Sequence, residues 1–217
     1  MSQLIIAVDG TIGAGKTTVL RRIMQRSPMQ GAPPLRLFEE DVDSWEPLLE
    51  RFYAEPDRYS FLLQARILSS MREQHDQMQA RAGVHIVERS PDSARVFVEL
   101  ARQDGLMCAE EHETYHLLHA QLGWSPDAVV WIDTPVDVAR ARIRQRDRPS
   151  ERNMSEAYLR RLHEVYSRTM RETAAYRVDG SLPEERVEEE VSRILHNIVQ
   201  QQNDREGKGL DQYYRDI

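Results

Sequence analysis

The amino-acid sequence predicts an α/β fold, with a five-stranded parallel sheet flanked by helices on both faces. Three observations predict it. Short apolar runs rich in β-branched residues alternate with longer segments of helical periodicity. The first run, residues 4–8, enters a glycine-rich turn that leads directly into a helical pattern. Acidic residues also follow the first four runs, as expected where parallel strands end beside a ligand.

Each predicted strand is an apolar run bounded by charged or turn residues. The five strands are expected over residues 4–8, 35–38, 84–87, 128–132 and 176–178. The first helix follows the glycine-rich turn, because Val19, Leu20 and Ile23 continue with helical spacing. Residues 27–34 contain three prolines and a glycine, so we expect a connection there and not a helix.

Apolar residues at three- and four-residue spacing, together with capping signals, predict the remaining helices. They are expected over 45–53, from Pro56 onward, over 94–102, 110–122 and 136–144, from an N-cap at Ser155, and over 183–198. The chain shows no internal repeat and no dividing linker. We therefore expect a single domain over residues 1–200 and a polar C-terminal tail over 201–217.

Composition limits the classes of function. The chain has 217 residues and a formal net charge of −7, which argues against nucleic acid or a membrane surface as a partner. A single cysteine, Cys108, excludes an internal disulfide bond and suits a reducing compartment. The first strand starts close to the first residue, and no apolar run has the roughly 20 residues that a membrane span needs. A cytoplasmic location is therefore expected.

The glycine-rich turn has the pattern G-x-x-x-x-G-K-T, placed between a strand and a helix as a phosphate-binding loop requires. Its glycines let the backbone approach an anion, and the helix adds the positive end of its dipole. Lys16 can reach the β- and γ-phosphates, and the Thr17 hydroxyl can bind Mg²⁺. The residues expected to bind phosphate are Gly10, Gly13, Ala14, Gly15, Lys16, Thr17 and Thr18.

Other charged residues fit phosphoryl transfer. Glu88 follows the third strand, where a carboxylate can bind Mg²⁺ through water; the alternative is that it only pairs with Arg89. Arginines crowd residues 140–148, and we expect Arg144, Arg146 and Arg148 to form a phosphate-binding lid, while Arg140 and Arg142 form a solvated helix face. Glu39 and Glu40 end the second strand, and either carboxylate could accept a hydroxyl proton.

Together these residues resemble the deoxynucleoside kinase family, over a stretch from about Leu4 to Leu195. The phosphate loop is similar to the family's G-x-I-G-x-G-K-T-T, and residues 40–45 are similar to E-P-V-x-x-W, with Asp41 in place of proline. Residues 88–90 match its E-R-S, residues 93–95 match S-[AD]-R, and residues 142–148 with Glu151 look like its arginine-rich lid. The resemblance implies a P-loop kinase fold.

The resemblance also implies roles. Glu40 would be the general base toward the 5′-hydroxyl of a deoxynucleoside, and Arg89 would orient it. Tyr53 and Glu151 would hold the 3′-hydroxyl, while Lys16 and the lid arginines would bind the phosphates of ATP–Mg²⁺. The residues implied for the base pocket are Trp45, Gln64, Ala94, Arg95 and Val98, the last at a position where the family often has an aromatic. Family members are commonly homodimers, which sets the expectation here.

Ala94 stands where purine- and cytidine-preferring members often have aspartate, which favours thymidine first and deoxycytidine second. The block Tyr59-Ser-Phe also resembles bacterial members that act on purines. Two other functions compete with this one. A nucleoside-monophosphate kinase, such as a thymidylate kinase, would share the fold but needs groups for an acceptor phosphate. A regulatory nucleotide-binding switch would need a guanine-reading N-K-x-D, which the sequence lacks.

Overall fold

The computed structural model describes residues 3–26, 35–148, 151, 154–173 and 175–205. Its strands form one parallel sheet in the order β2–β3–β1–β4–β5. The strands are β1 (Leu4–Asp9), β2 (Leu35–Phe38), β3 (Val84–Glu88), β4 (Ala128–Asp133) and β5 (Tyr176–Asp179). The helices are α1 (Lys16–Arg26), α2 (Glu46–Ala54), α3 (Pro56–Gln79), α4 (Pro91–Gln103), α5 (Ala109–Leu122), α6 (Val136–Arg146), α7 (Glu156–Glu172) and α8 (Glu184–Arg205).

The central strand β1 is buried along its whole length and contributes side chains to both faces of the sheet. Leu4, Ile6 and Val8 pack toward α1 and α8, whereas Ile5 and Ala7 pack toward α3, α4 and α7. This alternation follows from the two-residue period of a strand. The predicted parallel sheet with helices on both faces is confirmed, and the apolar run of β1 reflects its burial on two sides.

A third apolar cluster lies between α3, α4 and α5, outside the sheet. Ser90 caps α4 by accepting a hydrogen bond from the Ser93 amide, with Pro91 at the first helical position. Ser155 caps α7 as predicted, with its hydroxyl accepting from the Tyr158 amide. These caps fix where α4 and α7 begin. Both helices contribute side chains near the edge of the sheet where the parallel strands end.

The last helix is longer than the predicted 183–198. Helix α8 continues to Arg205, so the first five residues of the predicted tail are helical, and residues 206–217 lie outside the described residues. The final turns are polar and mostly exposed. The sequence there has no apolar periodicity that would have predicted a longer helix. Within the described ranges, no helix combines the length and apolarity that crossing a bilayer requires.

Candidate active site

The phosphate loop, residues 10–18, joins β1 to α1 with left-handed backbone angles at Gly13 (φ +77°) and Gly15 (φ +93°). A Cβ atom at Gly13 would lie 2.5 Å from the carbonyl oxygen of Ala139, so glycine lets α6 pack directly against the loop. The Lys16 ammonium donates hydrogen bonds to the carbonyls of Gly10 (3.1 Å) and Thr11 (3.2 Å), across the loop. The loop is thus a rigid cradle at a helix N-terminus, where an anion is favoured.

Lys16 is a buried cation beside several charges. Its Nζ lies 3.8 Å from Glu88 Oε1, and its side chain is only 5% exposed. Burial and the nearby Arg89 guanidinium lower the pKa of Lys16 to about 8, against the opposing effect of Glu88 and Glu40. A phosphate group bound in the cradle would add negative charge and favour the protonated form.

Thr17 and Glu88 offer oxygen atoms suited to a divalent cation. The Thr17 hydroxyl donates to both Glu88 carboxylate oxygens at 2.9 Å, and Glu88 is buried at the end of β3. Mg²⁺ prefers hard oxygen donors and is commonly held by one or two protein groups, several waters and substrate phosphates. This donor set fits the magnesium site predicted from the sequence. Within the described part of the chain, the hydrogen bonds and ion pair of the Glu88 carboxylate are with Thr17 and Lys16 and not with Arg89.

The two glutamates after β2 have different partners. Glu39 accepts two hydrogen bonds from the Arg21 guanidinium, at 2.6 and 2.7 Å, on the protein surface. That pairing lowers the pKa of the Glu39 carboxyl. Glu40 instead accepts from Arg89 Nε at 3.2 Å, and its side chain is 20% exposed beside the cavity. Glu40 is therefore the better-placed carboxylate to meet an acceptor hydroxyl.

Arg89 is held in a strained and crowded position. It is a non-glycine residue with a φ of +71°, and such backbone strain is often found at functional sites. Its guanidinium donates to the carbonyl of Gly10 (3.0 Å) and to the Tyr166 hydroxyl (3.1 Å), and lies 5.1 Å from the centre of the Phe97 ring. Arg89 thus connects the Glu40 carboxylate to the phosphate loop.

Tyr166 and Asp9 complete this buried network, and sequence reasoning assigned them no role in the site. The Tyr166 hydroxyl accepts from Arg89 and from the Gly10 amide (3.3 Å), and donates to Asp9 Oδ1 at 2.6 Å. Burial raises the pKa of Asp9, which the hydrogen bond from Tyr166 partly opposes. In the sequence, Tyr166 marked only the apolar face of a helix, and no pattern linked it to Asp9.

The Tyr166→Phe substitution should lower kcat for phosphoryl transfer by roughly tenfold, because it frees Arg89 and leaves Asp9 without its shortest hydrogen bond. Losing a buried hydrogen bond to charged groups costs about 1.5–3 kcal/mol, so Tm should also fall by several degrees. Steady-state kinetics with a deoxynucleoside and ATP, together with thermal unfolding, measure both effects. We expect KM for ATP to change little, since Tyr166 would not contact the nucleotide.

Tyr115→Phe is the matched control. Tyr115 is also fully buried, but its hydroxyl has no hydrogen-bond partner among the described residues. Removing an unpartnered buried hydroxyl should leave both stability and kcat near the wild-type values. Equal effects of the two substitutions would argue against the positioning role of Tyr166.

A cavity of about 1020 Å³ opens between the phosphate loop, α2, α3 and α4. Seven residues predicted for the substrate line it, namely Glu40, Trp45, Tyr53, Gln64, Arg89, Ala94 and Glu151. Gln64 Oε1 and Trp45 Nε1 are buried there and have no hydrogen-bond partner among the described residues. Buried polar atoms normally have partners, so these two atoms point to a ligand that supplies them.

The arginine-rich segment divides into two parts. Arg146 and Arg148 reach the cavity rim, where the Glu151 carboxylate accepts from Arg146 at 2.6 and 2.7 Å and lies 3.6 Å from Arg148. Arg144, predicted to bind phosphate with them, is exposed on α6 and does not line the cavity. The phosphate-binding role of Arg144 therefore stays a prediction from the sequence.

The prediction that Arg140 and Arg142 form a solvated face of α6 is partly wrong. Arg140 pairs with Glu156 on α7. Arg142 donates to the carbonyl of Ala14 in the phosphate loop (3.0 Å) and to that of Gly180 after β5 (3.2 Å). Arg142 therefore connects the phosphate loop to the segment that follows β5.

Two residues predicted for the base pocket lie elsewhere. Val98 is fully buried in the α3–α4–α5 cluster, and the adjacent Phe97 lines the cavity in its place. Arg95 is exposed, 4.0 Å from Asp92, and does not line the cavity. One position along a helix rotates a side chain by about 100°, which explains the exchange of Val98 for Phe97.

Comparison with known proteins identifies the family of this chain. Residues 6–209 match the family model of deoxynucleoside kinases. A protein designated 143R in Invertebrate iridescent virus 6 is 30% identical over 90% of this chain and 98% of its own length. Deoxyadenosine kinase of Dictyostelium discoideum is 31% identical over 79% of this chain and 68% of its own. The solved deoxyadenosine kinase from M. mycoides, with dCMP and dCDP bound, superimposes with a TM-score of 0.80 at 22% identity, covering 89% of this chain and 100% of the other.

Proposed function

The chain belongs to the deoxynucleoside kinase family, and from this premise we propose that it phosphorylates the 5′-hydroxyl of a pyrimidine deoxynucleoside, thymidine first and deoxycytidine second. The phosphate donor is ATP, as in other nucleoside kinases of the family. The observation that carries the proposal is the shared cavity. It joins the phosphate loop, the Glu40 carboxylate and the unpartnered Gln64 amide oxygen within one space.

In the proposed reaction, the Glu40 carboxylate accepts the proton of the 5′-hydroxyl. The 5′-oxygen then forms a bond to the γ-phosphorus as the bond from that phosphorus to the bridging oxygen breaks, and ADP leaves. Arg89 holds Glu40 toward the phosphate loop, at a distance of 3.2 Å. Lys16, Arg146 and Arg148 balance the charge that spreads over the transferring oxygens.

Mg²⁺ would be held by the Thr17 hydroxyl and, through water, by the Glu88 carboxylate, both of which lie at the loop. When bound, it would supply positive charge that offsets the charge of the phosphates. The chain itself contributes the positioning of the phosphates through the loop backbone. Lys16, buried next to Glu88, contributes a cation that the loop carbonyls already orient.

The sugar would be recognised by Tyr53 and Glu151. Both line the cavity, and burial raises the pKa of Tyr53, so its hydroxyl stays protonated and can donate to the 3′-oxygen. Glu151 is 7% exposed and is held by Arg146. Because one carboxylate contacts both the sugar and a phosphate-binding arginine, sugar recognition and phosphate binding would be coupled.

The base preference rests on Gln64 and Ala94. A glutamine amide presents an acceptor beside a donor, which matches N3–H and O4 of thymine, or N3 and the amino group of cytosine after rotation of the amide. Ala94 is buried and lines the cavity, so it leaves room for a methyl group and offers no acceptor to an exocyclic amino group. Thymine fits this combination better than cytosine.

A panel assay tests the proposal. The four deoxynucleosides and their 5′-monophosphates are supplied in turn with ATP–Mg²⁺, and product formation is followed. We expect kcat/KM to be highest for thymidine. Faster transfer to thymidine monophosphate would favour the nucleoside-monophosphate kinase, and nucleotide hydrolysis with no transfer to any acceptor would favour the regulatory switch. A clear preference for purines would overturn the base assignment while leaving the kinase assignment intact.

The Ala94→Asp substitution should lower kcat/KM for thymidine and raise the ratio of deoxycytidine to thymidine by at least about tenfold. The introduced carboxylate can accept from an exocyclic amino group, and a hydrogen bond to a charged group is worth about 1.5–3 kcal/mol. Competition between the two nucleosides in one reaction measures the ratio directly. Ala94→Asn is the matched control, because it has the same size without the charge, and it should move the ratio much less.

Two further expectations from the sequence belong to the same proposal. The homodimer predicted by resemblance would be seen as a particle of twice the 25.3 kDa chain mass in light scattering. The cytoplasmic location fits an enzyme that uses ATP and has one free cysteine, which is exposed. Neither expectation enters the argument for catalysis.

A further inference from the structure

A cluster of two histidines and one glutamate lies on α4 and α5, separate from the active site. Glu99 belongs to α4, and His112 and His116 stand one turn apart on α5. None of the three lines the active-site cavity. We propose that this cluster binds a divalent transition-metal ion, with Zn²⁺ as the best match, and so ties α4 to α5.

The distances among the three ligand atoms carry the proposal. His112 Nε2 lies 3.1 Å from Glu99 Oε1, His116 Nε2 lies 3.3 Å from the same oxygen, and the two nitrogens are 3.2 Å apart. In a tetrahedral zinc site with bonds of about 2.0–2.1 Å, neighbouring ligands are separated by roughly 3.3 Å. The three atoms therefore form a nearly equilateral triangle of the size of one face of such a tetrahedron.

The types of ligand favour zinc over the cation of the kinase reaction. Imidazole nitrogens bind Zn²⁺, Ni²⁺ and Cu²⁺ well, whereas Mg²⁺ prefers oxygen ligands. Two histidines at i and i+4 on a helix present their rings on the same face, and a carboxylate from a second helix completes three ligands. The fourth position would belong to water or an external ligand, as in zinc sites with three protein ligands.

The surroundings allow an ion to enter without unfolding the helices. The side chains are 40% exposed at Glu99, 24% at His112 and 34% at His116. Beneath them, α4 and α5 are already held together by the apolar cluster that contains Val98, Met107 and Tyr115. The backbone is therefore positioned before the metal arrives, so binding would require only small side-chain adjustments.

The experiment measures binding of Zn²⁺ to the full chain in the presence of excess Mg²⁺, which would saturate the oxygen site proposed at Thr17 and Glu88. We expect one Zn²⁺ per chain by calorimetry. Tm should increase by roughly 5 °C or more when free Zn²⁺ exceeds its Kd about a hundredfold, and the increase should disappear on chelation. Substitution by Co²⁺ should give the intense visible absorption of a four-coordinate ion.

Variants assign the ligands. His112→Ala and Glu99→Gln should each weaken binding by at least about tenfold, since removing even an outer partner of a metal ligand has that effect. His196→Ala, an exposed histidine on α8, is the matched control and should leave binding unchanged. Cys108→Ser should also leave it unchanged, because the Cys108 thiol is not part of the cluster and instead caps α5.

Two results would overturn the proposal. The first is binding of Zn²⁺ that is equally strong in wild type and in His112→Ala, which would place the ion elsewhere. The second is the absence of any Zn²⁺-dependent change in Tm or calorimetric heat, which would leave the three residues as a hydrogen-bonded cluster only. Because the readouts are binding and stability, neither result depends on the kinase reaction.

Discussion

The Lys16→Ala variant should transfer phosphate with a kcat/KM at least about 10³-fold below wild type. Removing one charged stabiliser of a phosphoryl-transfer transition state has effects of this size. Lys16 is expected to have a large effect because its ammonium is buried and held by the carbonyls of Gly10 and Thr11. Steady-state assays of phosphoryl transfer from ATP to thymidine, with purified wild type and variant, give the two kcat/KM values to be compared.

The control for this variant is Arg26→Ala. Arg26 is another cation of α1, but its side chain is 64% exposed and pairs with Glu188 on α8, away from the cavity. We expect activity within about twofold of wild type, because Arg26 does not line the cavity. Thermal unfolding should show that both variants are folded. Retention of activity by Lys16→Ala would remove the phosphate loop from the reaction.

The elements that sequence predicted correctly are those governed by local chemistry. Strands buried on both faces of a parallel sheet are continuous apolar runs, so β1 could be read directly. The phosphate loop could be read because its glycines and Lys16 serve a backbone conformation within one short segment. The strand before the loop and the helix after it could also be recognised in the sequence. Together they predicted which edge of the sheet carries the phosphate loop.

What sequence could not predict depends on which side of a helix meets a distant element. Tyr166 and Asp9 are 157 positions apart, yet their side chains are 2.6 Å apart. Nothing in a helical period marks a tyrosine as a partner of a strand-end aspartate. The same limit applies to Arg142, which periodicity assigned to solvent but which reaches the carbonyl of Ala14 because α6 packs closely on Gly13.

The resemblance to a family predicted residues of α4 for the base pocket, and the structure places some of them at the cavity and others away from it. It placed Val98 in the base pocket, whereas packing against Leu68 and Tyr115 turns Val98 inward and turns Phe97 toward Arg89. The position of a residue in a family motif predicts the direction of its side chain only if the helix has the same rotation about its axis as in the relatives. In this chain the small Ala94 and the large Phe97 both line the cavity.

The choice between Glu39 and Glu40 illustrates the reverse case, in which resemblance and geometry agree. Sequence alone left both carboxylates open as the base. Arg21 occupies Glu39 at the surface, whereas Glu40 faces Arg89 at the cavity. Both carboxylates line the cavity, but Arg21 holds both oxygens of Glu39, whereas Arg89 holds one oxygen of Glu40. A carboxylate that accepts a proton needs an available oxygen and a partner that fixes its direction, which favours Glu40.

The Glu40→Gln variant should therefore lower kcat by about 10²-fold or more, because a general base contributes roughly 10²–10⁴-fold and the amide cannot accept the proton. The side chain keeps its size and can still contact Arg89, so ATP binding and Tm should stay close to wild type. Glu39→Gln, which loses only a surface pair, should stay within about threefold of wild type. Near-normal turnover in Glu40→Gln, or a loss in Glu39→Gln as large as in Glu40→Gln, would place the base elsewhere and leave the Arg89 network with a structural role alone.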